Sequence, residues 1–115
     1  MTEDSVLEGI PHRDPFLFID KILEIDETKI IAQKEIKDSE AFFKGHYPNN
    51  PIMPGVLLCE CIFQAGALWI SKQKLQKEKI GDKVPVVSRV NNVKFKRAVL
   101  PNAILTIESS YVQQL

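Results

Sequence analysis

Residues 43–64, FKGHYPNNPIMPGVLLCECIFQ, join a proline-rich loop to an apolar helix and carry the strongest structural signal in the chain. Each proline fixes its own φ and biases the preceding residue toward an extended conformation, which makes the loop stiff. Pro54 suits the first turn of a helix. From Gly55 to about Lys74 the sequence is helical in length and apolar on nearly every face. A helix that is apolar all round is normally buried, so the sequence predicts one long central helix.

The remaining sequence predicts strands that surround this helix. Runs rich in β-branched and aromatic residues, separated by turn residues, are typical of strands. The predicted strands are Phe16–Ile25 and Ile30–Ile36, which would pair as a hairpin, then the strand-like runs Val84–Val90 and Val93–Leu100 with a bend or bulge at Asn91-Asn92 between them, and finally Ile104–Val112. Short helical turns are predicted at Ser5–Ile10 and Ser39–Phe43. We expect a single domain over residues 1–115 with an α+β architecture, in which about four strands wrap one buried helix.

The bulk properties exclude several classes of protein. The formal net charge is +0, which argues against a general nucleic-acid binder. Residues 1–9 are polar and acidic, unlike a signal peptide. The apolar run Val56–Ile70 is interrupted by Glu60 and Gln64, and we expect it to be too short and too polar to span a membrane. We therefore expect a cytoplasmic protein that binds neither membrane nor nucleic acid.

The cysteines and histidines do not form a recognisable metal site. Cys59 and Cys61 lie two apart on the predicted helix and point to different sides, so a disulfide between them is disfavoured. Reduced thiols fit a cytoplasmic protein. The spacing of the cysteines and histidines matches no zinc site, and there is no glycine-rich phosphate loop. We expect neither a metal nor a cofactor.

One histidine and one carboxylate suggest acid–base chemistry. His46 lies in a Gly-His-Tyr-Pro turn that would hold its ring in one orientation, as general base catalysis requires. Glu60 interrupts the apolar helix, and burial of a carboxylic acid raises its pKa so that it can donate a proton near neutral pH. A buried carboxylate that only accepts backbone hydrogen bonds is the alternative for Glu60 alone. His12 lacks such a setting, and we assign it a structural role or none.

Other side chains could assist this pair. Gln64 lies one helical turn after Glu60 and shares its face. Gly55 opens the helix, where free N–H groups and the positive end of the dipole could polarise a substrate carbonyl; alternatively, it only lets the loop turn into the helix. A basic run of Lys94, Lys96 and Arg97 is either a solvated surface or a dock for an acidic partner.

Several motifs, taken in order, resemble one known family. Pro11–Leu17 (PHRDPFL), Gly45–Pro48 (GHYP), Pro51–Leu57 (PIMPGVL) and Phe95–Arg97 (FKR), with Glu60 and Gln64, are similar to those of the bacterial 3-hydroxyacyl-acyl carrier protein dehydratases of type II fatty-acid synthesis. The resemblance runs from about Ile10 to the end of the chain. It implies a hot-dog fold, in which an antiparallel sheet wraps one long central helix.

The resemblance also implies a role for each candidate residue. His46 would remove the α-proton of a 3-hydroxyacyl thioester, and Glu60 would protonate the leaving β-hydroxyl. Gly55 would bind the thioester oxygen through its backbone N–H, and Gln64 would orient the Glu60 side, directly or through water. Histidine and carboxylate of one site would come from different subunits of a homodimer, alone or within a trimer of dimers. The substrate would arrive on acyl carrier protein, with Lys94, Lys96 and Arg97 as the dock.

The chain departs from the family pattern at a few places. Tyr47 replaces the usual phenylalanine, Asn49 stands where glycine is common, and Pro101-Asn102-Ala103 replaces Pro-Gly-Asp. The chain ends at Leu115, where relatives continue into further central strands, so we expect a C-terminally shortened fold with exposed apolar surface. Two alternatives follow: a non-catalytic hot-dog subunit that binds acyl carrier protein or completes a heterodimer, and a dehydratase of a polyketide or aryl-polyene side pathway.

Overall fold

The computed structural model describes residues 3–75 and 87–112. In chain order, its elements are helix α1 (Glu3–Gly9), strand β1 (Lys21–Ile25), strand β2 (Lys29–Glu35), a 3-10 turn (Ala41–Lys44), helix α2 (Gly55–Trp69), which continues as a π-helical segment (Ile70–Leu75), and strand β3 (Ile104–Ser110). The predicted hairpin, the long helix beginning at Gly55 and the α+β class are confirmed.

The three strands form one antiparallel sheet in the order β1-β2-β3. The β1-β2 hairpin closes at Asp26, whose carboxylate accepts hydrogen bonds from the backbone N–H groups of Thr28 (2.8 Å) and Lys29 (3.0 Å). This Asx-type turn explains why the chain reverses at this point. The turn brings Ile25 opposite Ile30 in the ladder.

Helix α2 packs one face against the sheet. Its buried side chains include Cys61, Ala65 and Leu68, and the same core contains Ile22 of β1, Ile30 and Ala32 of β2, and Ile107 of β3. These strand residues alternate with outward-facing ones, so one face of the sheet is apolar. Because the helix lies across this face, the positions of its polar side chains are set by the core packing.

The opposite face of α2 is not covered by the described residues. Val56 is 74% exposed and Ile62 is 50% exposed. The prediction that the helix is buried on nearly every face is therefore wrong for the single chain, because the three strands cover only one side.

The helix from Gly55 to Gln73 has 19 residues and a mean hydropathy of 1.3, so by length and composition alone it could cross a membrane. The expectation that it is too short is thus also wrong, although a core helix packed on a sheet passes the same test.

The predicted strands between the helix and β3 are absent from the described residues. Residues 87–100 run without strand pairing, and most of their side chains are exposed; Val84–Val86 lie outside the described residues. One backbone bond, from the Met53 N–H to the Val99 carbonyl (2.8 Å), fixes the end of this segment. β1 is also shorter than predicted, since Phe16–Asp20 lie outside the strand. Residues 87–100 contain the apolar residues on which the strand prediction rested, but in the described part of the chain no strand lies beside them to form a ladder.

The irregular segment between α1 and β1 is held at both ends. The Arg13 guanidinium donates to the carbonyls of Leu7 (3.0 Å) and Ile10 (2.8 Å) at the end of α1. At the other end, the Asp20 carboxylate lies 3.3 Å from the ammonium of the buried Lys34 on β2. These contacts fix the path of residues 10–20 across the side of α2 that carries Glu60.

Candidate active site

The His46 ring is oriented by a backbone carbonyl. Its Nδ1 lies 2.8 Å from the carbonyl oxygen of Ile52, which can only accept a hydrogen bond. The loop is closed by two further bonds: His46 N–H donates to Phe42 O, and Ile52 N–H donates to His46 O (2.9 Å). In the neutral ring the proton is therefore on Nδ1, and Nε2 keeps a bare lone pair. This arrangement is the one that a general base needs.

Gly55 lies in the same cavity as His46. The cavity has a volume of about 340 Å³ and is also lined by Phe95, Lys96 and Arg97. A Cβ on Gly55 would lie 3.0 Å from the Phe95 ring, so only glycine lets the ring and a ligand approach the backbone here. Gly55 is the first residue of α2, and no described residue accepts its N–H. The histidine lone pair and a free helix N-terminus thus border one space.

Gln64, rather than Glu60, is the fully buried polar side chain of the helix. Gln64 is 0% exposed, and its Oε1 accepts the Phe18 N–H at 2.8 Å. Its Nε2 donates both protons, to the Phe16 carbonyl (2.9 Å) and to Glu60 Oε2 (2.9 Å). The contact with Glu60 is direct. The amide therefore has protein partners for both donors, which leaves it suited to hold Glu60 and not to bind a ligand.

The Glu60 side chain is 21% exposed, so the prediction that it is buried is wrong for the single chain. It lines a second and larger cavity, of about 620 Å³, together with His12, Gln64, Phe63 and Arg89. One helical turn separates the two side chains, but Gln64 points into the core and Glu60 lies at the cavity edge. With Oε2 held by Gln64, no described residue gives Oε1 a hydrogen bond, so Oε1 is the oxygen available to a ligand.

His46 and Glu60 do not share a cavity within one chain. Gly55 and Glu60 are five residues apart on α2, which corresponds to a rotation of about 140° and a rise of about 7.5 Å. The structure thus brings His46 together with Gly55, and Glu60 together with Gln64. Each cavity holds half of the predicted set.

His12 is the residue that the sequence reasoning missed. Its Nε2 lies 3.7 Å from Glu60 Oε2, and it lines the same cavity. The expectation of a structural role or none rested on the absence of a stiff local setting. The useful signal was the place of His12 in the first motif of the family resemblance, Pro11–Leu17.

Two residues of the predicted basic dock border the His46 cavity, and another arginine borders the Glu60 cavity. Lys94, Lys96 and Arg97 are all exposed, as a docking surface requires. Lys96 and Arg97 line the His46 cavity, whereas Arg89 lines the Glu60 cavity.

The two cysteines are free, as expected. Burial raises the pKa of the Cys61 thiol to about 12, so this group stays protonated and poorly nucleophilic. Among the described residues, no three side chains of His, Cys, Asp or Glu come together as a metal site would require.

Comparison with known proteins places this geometry in a family. Residues 10–114 match the FabA-like domain. The chain is 41% identical over 113 residues to the 3-hydroxyacyl-[acyl-carrier-protein] dehydratase FabZ of Clostridium perfringens, covering 98% of this chain and 78% of that protein. It is 42% identical over 110 residues to the FabZ of Caldicellulosiruptor bescii, covering 95% of this chain and 76% of the relative.

A solved structure agrees on the fold. The dehydratase heterocomplex ApeI:P from Xenorhabdus doucetiae contains a chain that superposes with a TM-score of 0.68 at 16% identity, covering 95% of this chain and 72% of the other. At that identity the likeness concerns the fold alone, and it confirms the predicted hot-dog architecture. The domain match and the identity to these relatives show that the chain belongs to the FabZ family of FabA-like dehydratases.

Proposed function

We propose that this protein eliminates water from 3-hydroxyacyl-acyl carrier protein thioesters and gives trans-2-enoyl thioesters for fatty-acid synthesis. The observation that carries the proposal is the His46–Ile52 hydrogen bond, which leaves the Nε2 lone pair beside the free N–H of Gly55. A base next to an oxyanion-binding N–H is what removal of a proton α to a thioester carbonyl requires. The names of the relatives supply the substrate class.

In this reaction His46 Nε2 removes the α-proton, and the Gly55 N–H stabilises the negative charge that builds on the thioester oxygen. The electron pair of the broken C–H bond forms the new C=C bond, and the β-carbon–oxygen bond breaks. Glu60 donates its proton to the leaving hydroxyl, which departs as water. Because Gln64 occupies Oε2 as a donor, the proton that Glu60 gives must come from Oε1.

The proposed active site requires two chains. His46 and Glu60 line separate cavities of one protomer, so a complete site takes the base from one chain and the acid from another. The exposed apolar residues of α2 and of the segment 87–100 offer surface for such a contact; they are Val56, Ile62, Val87, Val90, Val93 and Phe95. We propose a homodimer as the smallest active unit, and a trimer of dimers as its larger form.

Acyl carrier protein is the proposed partner. Lys96 and Arg97 border the cavity that holds His46, and Lys94 is exposed nearby in the chain. An acidic carrier docked on these cations would deliver its thioester toward Nε2 of His46. The free thiols of Cys59 and Cys61 fit a reducing compartment, which supports a cytoplasmic location.

Complementation between two inactive variants tests both the chemistry and the shared site. His46→Ala and Glu60→Gln should each abolish most of the hydration of a crotonyl thioester. The assay measures this hydration as a decrease in enoyl absorbance. In a mixed dimer, one site receives intact His46 from one chain and intact Glu60 from the other. Random mixing should thus restore about a quarter of wild-type activity, since half of the dimers are mixed and each has one complete site. Mixtures that stay inactive would contradict a site shared between chains.

A second candidate is a subunit that is inactive until it meets a different hot-dog chain. The observation in its favour is that one chain holds only half of each site. Wild-type protein that is folded but inactive alone, and becomes active with a second dehydratase subunit, would favour this candidate. A screen of acyl and polyketide thioesters would separate fatty-acid synthesis from a side pathway.

A further inference from the structure

Lys34 carries a buried charge that neither cavity uses. On β2 it stands at the third inward-facing position, after Ile30 and Ala32, where the alternation of the strand favours an apolar side chain. Among the described residues it is the charged residue that is buried, at 8% exposed. It lines neither the His46 cavity nor the Glu60 cavity. An ammonium in such a place is costly unless it is paired, so its partners indicate what it does.

The Lys34 ammonium bridges two carboxylates from different parts of the chain. Its Nζ lies 3.3 Å from Asp20 Oδ1, to which it donates a hydrogen bond, and 3.5 Å from Glu40 Oε2. The side chains of Asp20 and Glu40 are 43% and 20% exposed, so both carboxylates keep contact with water when the ammonium is removed. An apolar side chain of similar volume often replaces a buried ion pair at no loss of stability. The stability of the fold therefore does not explain a lysine at this position.

Asp20 is a fixed anchor for the ammonium. Its Oδ2 accepts the Glu35 N–H at 2.7 Å, and its own N–H donates to the Gln33 carbonyl at 2.8 Å. These two bonds tie Asp20 to β2 on either side of Lys34, and they do not involve the ammonium. Loss of the ammonium therefore releases Glu40 and leaves Asp20 in place.

Glu40 is the residue that Lys34 holds in place. Its carboxylate gives no capping hydrogen bond to the 3-10 turn Ala41–Lys44 that follows. Besides the ammonium, the carboxylate has the Lys37 N–H at 3.4 Å, a long hydrogen bond that closes only a local loop. Among the described residues, the ion pair with Lys34 is thus the contact that links the Glu40 side chain to the sheet.

The backbone carries the position of Glu40 to His46. The Glu40 carbonyl accepts the Phe43 N–H at 3.1 Å at the start of the turn. At its end, the Phe42 carbonyl accepts the His46 N–H at 3.1 Å. Phe43 is buried in the core and anchors the middle of the turn. The orientation of the turn about this anchor is set at its start by Glu40, so a tilt there moves the imidazole at its end.

We propose that Lys34 is a positioning residue for the dehydration, which acts through Glu40 on the base His46. The inference rests on the proposed function, in which His46 removes the α-proton beside the Gly55 N–H. The ammonium fixes the turn against the sheet, and the sheet packs on α2, whose first residue is Gly55. The base and the N–H that binds the thioester oxygen are thereby held at one separation. A misplacement of about 1 Å can cost about 10²-fold in rate, so even a partial tilt is measurable.

Steady-state hydration of a crotonyl thioester by Lys34→Met is the first test. Methionine keeps a similar length and volume and removes the charge. We expect kcat to fall by about 10-fold with KM unchanged, because the substrate contacts remain and the base is misplaced. The melting temperature should stay within about 5 °C of wild type. An undiminished kcat, or a change in KM alone, would overturn the proposal.

Lys29→Met is the matched control. It makes the same substitution on the same strand, at an exposed ion pair in which Lys29 Nζ lies 3.8 Å from Glu108 Oε1. Exposed ion pairs contribute little, so kcat and KM should both stay at the wild-type values. An equal loss of kcat in Lys29→Met would show that any lysine of β2 has this effect, and would overturn the proposal.

Glu40→Gln tests the same link from its other end, and it decides the matter should Lys34→Met fail to fold. The amide keeps the size of the side chain and loses the charge, whereas Lys34 keeps its bond to Asp20. We expect the same loss of kcat, about 10-fold. Because the two residues act in one path, the double variant should be no slower than either single variant. Full activity in Glu40→Gln, or losses that multiply in the double variant, would overturn the proposal.

Complementation assigns the effect to the base. In a mixed dimer of His46→Ala and Glu60→Gln chains, the complete site takes His46 from the Glu60→Gln chain. Lys34→Met added to that chain should lower the restored activity by about 10-fold, whereas the same change in the His46→Ala chain should leave it unchanged. A merely structural role would lower it equally from either chain. Equal losses, or a loss only from the His46→Ala chain, would overturn the proposal.

An NMR signal that needs no activity separates failure of this inference from failure of the proposed function. The chain has two histidines, and the ¹⁵N resonances of His46 should move in Lys34→Met and in Glu40→Gln while those of His12 stay in place. Unmoved His46 resonances in an active enzyme would reject the path from Lys34 to His46 alone. Moved resonances in a protein whose wild type lacks dehydratase activity would reject the proposed function, and with it the role of Lys34 in the reaction.

Discussion

Gln64 can be used to separate the stability of the site from its chemistry. The side chain is fully buried and its three hydrogen bonds reach Phe18, Phe16 and Glu60. Gln64→Leu keeps a similar volume but removes all three. The Phe18 N–H is then left buried without an acceptor, whereas the carbonyl of the exposed Phe16 can turn to water. A buried unsatisfied group costs about 1–3 kcal/mol, so we expect the variant to lose about 1–3 kcal/mol of unfolding free energy.

The isosteric variant Gln64→Glu removes a different part of the same network. Its carboxylate can still accept the Phe18 N–H, but an oxygen replaces the Nε2 that donates to Glu60 and Phe16. We expect a larger loss of stability than in Gln64→Leu, because the new carboxylate is buried and faces the Phe16 carbonyl and the Glu60 carboxylate. Activity should also fall by about 10–100-fold, because Oε2 of Glu60 is no longer held and a like charge lies beside it.

Urea unfolding followed by fluorescence of the single tryptophan, Trp69, measures the first effect, and hydration of a crotonyl thioester measures the second. Cys59→Ser, on the same helix but outside this network, is the control and should stay within about 1 kcal/mol of wild type. Full activity in Gln64→Glu would show that the amide does not orient Glu60. Wild-type stability in Gln64→Leu would show that the Phe18 N–H does not depend on it.

Three further changes test the packing and backbone. Gly9→Ala places a Cβ against Leu68 Cδ1, and the overpacking should lower the free energy of unfolding in urea by about 1–3 kcal/mol. An unchanged urea midpoint would mean that Leu68 moves freely. Asn102 has φ 72°, so Asn102→Gly should stabilise the protein and Asn102→Ala should destabilise it, each by about 1 kcal/mol in thermal unfolding. A glycine variant less stable than the alanine variant would contradict the left-handed geometry. Burial raises the pKa of Cys61 from 9.0 to about 12, so above pH 9.0 the thiol ionises in the unfolded chain before it does so in the folded one. The contribution of Cys61 to the free energy of unfolding is therefore fully present below pH 9.0 and falls above it by up to about 1.4 kcal/mol per pH unit. Cys61→Ala should remove this slope, and Cys59→Ala should not.

The elements with strong local signals could be predicted from the sequence. The hairpin follows from the Asp26 turn between two β-rich runs, and the start of α2 follows from Pro54 and Gly55. The positive φ of Asn102 was not among the predictions, although asparagine tolerates this conformation better than most residues.

Strand pairing and side-chain burial depend on which other part of the molecule packs against a residue, and they could not be predicted from the sequence. The sequence shows that residues 87–100 contain several apolar and β-branched residues, but not whether a strand lies beside them. Likewise, the apolar sequence of α2 indicated burial of Glu60, whereas in the structure the fully buried polar side chain of this helix is Gln64. A neutral amide with three partners can be buried at lower cost than a carboxylate, which explains why the structure places Gln64 inside and Glu60 at the cavity edge.

The proposed shared active site, which the family resemblance implied, agrees with the spacing of Gly55 and Glu60 on one helix. The oxyanion-binding N–H must be at the helix N-terminus, because only the first N–H groups of a helix are free. The acid must come later, because a side chain in the first turn would stand in the space that the thioester needs beside Gly55. Placing the acid at Glu60 turns it by about 140° from Gly55, and the two residues line different cavities of one chain. In the proposed dimer the same helix serves two sites, giving its N-terminus to one and its carboxyl group to the other.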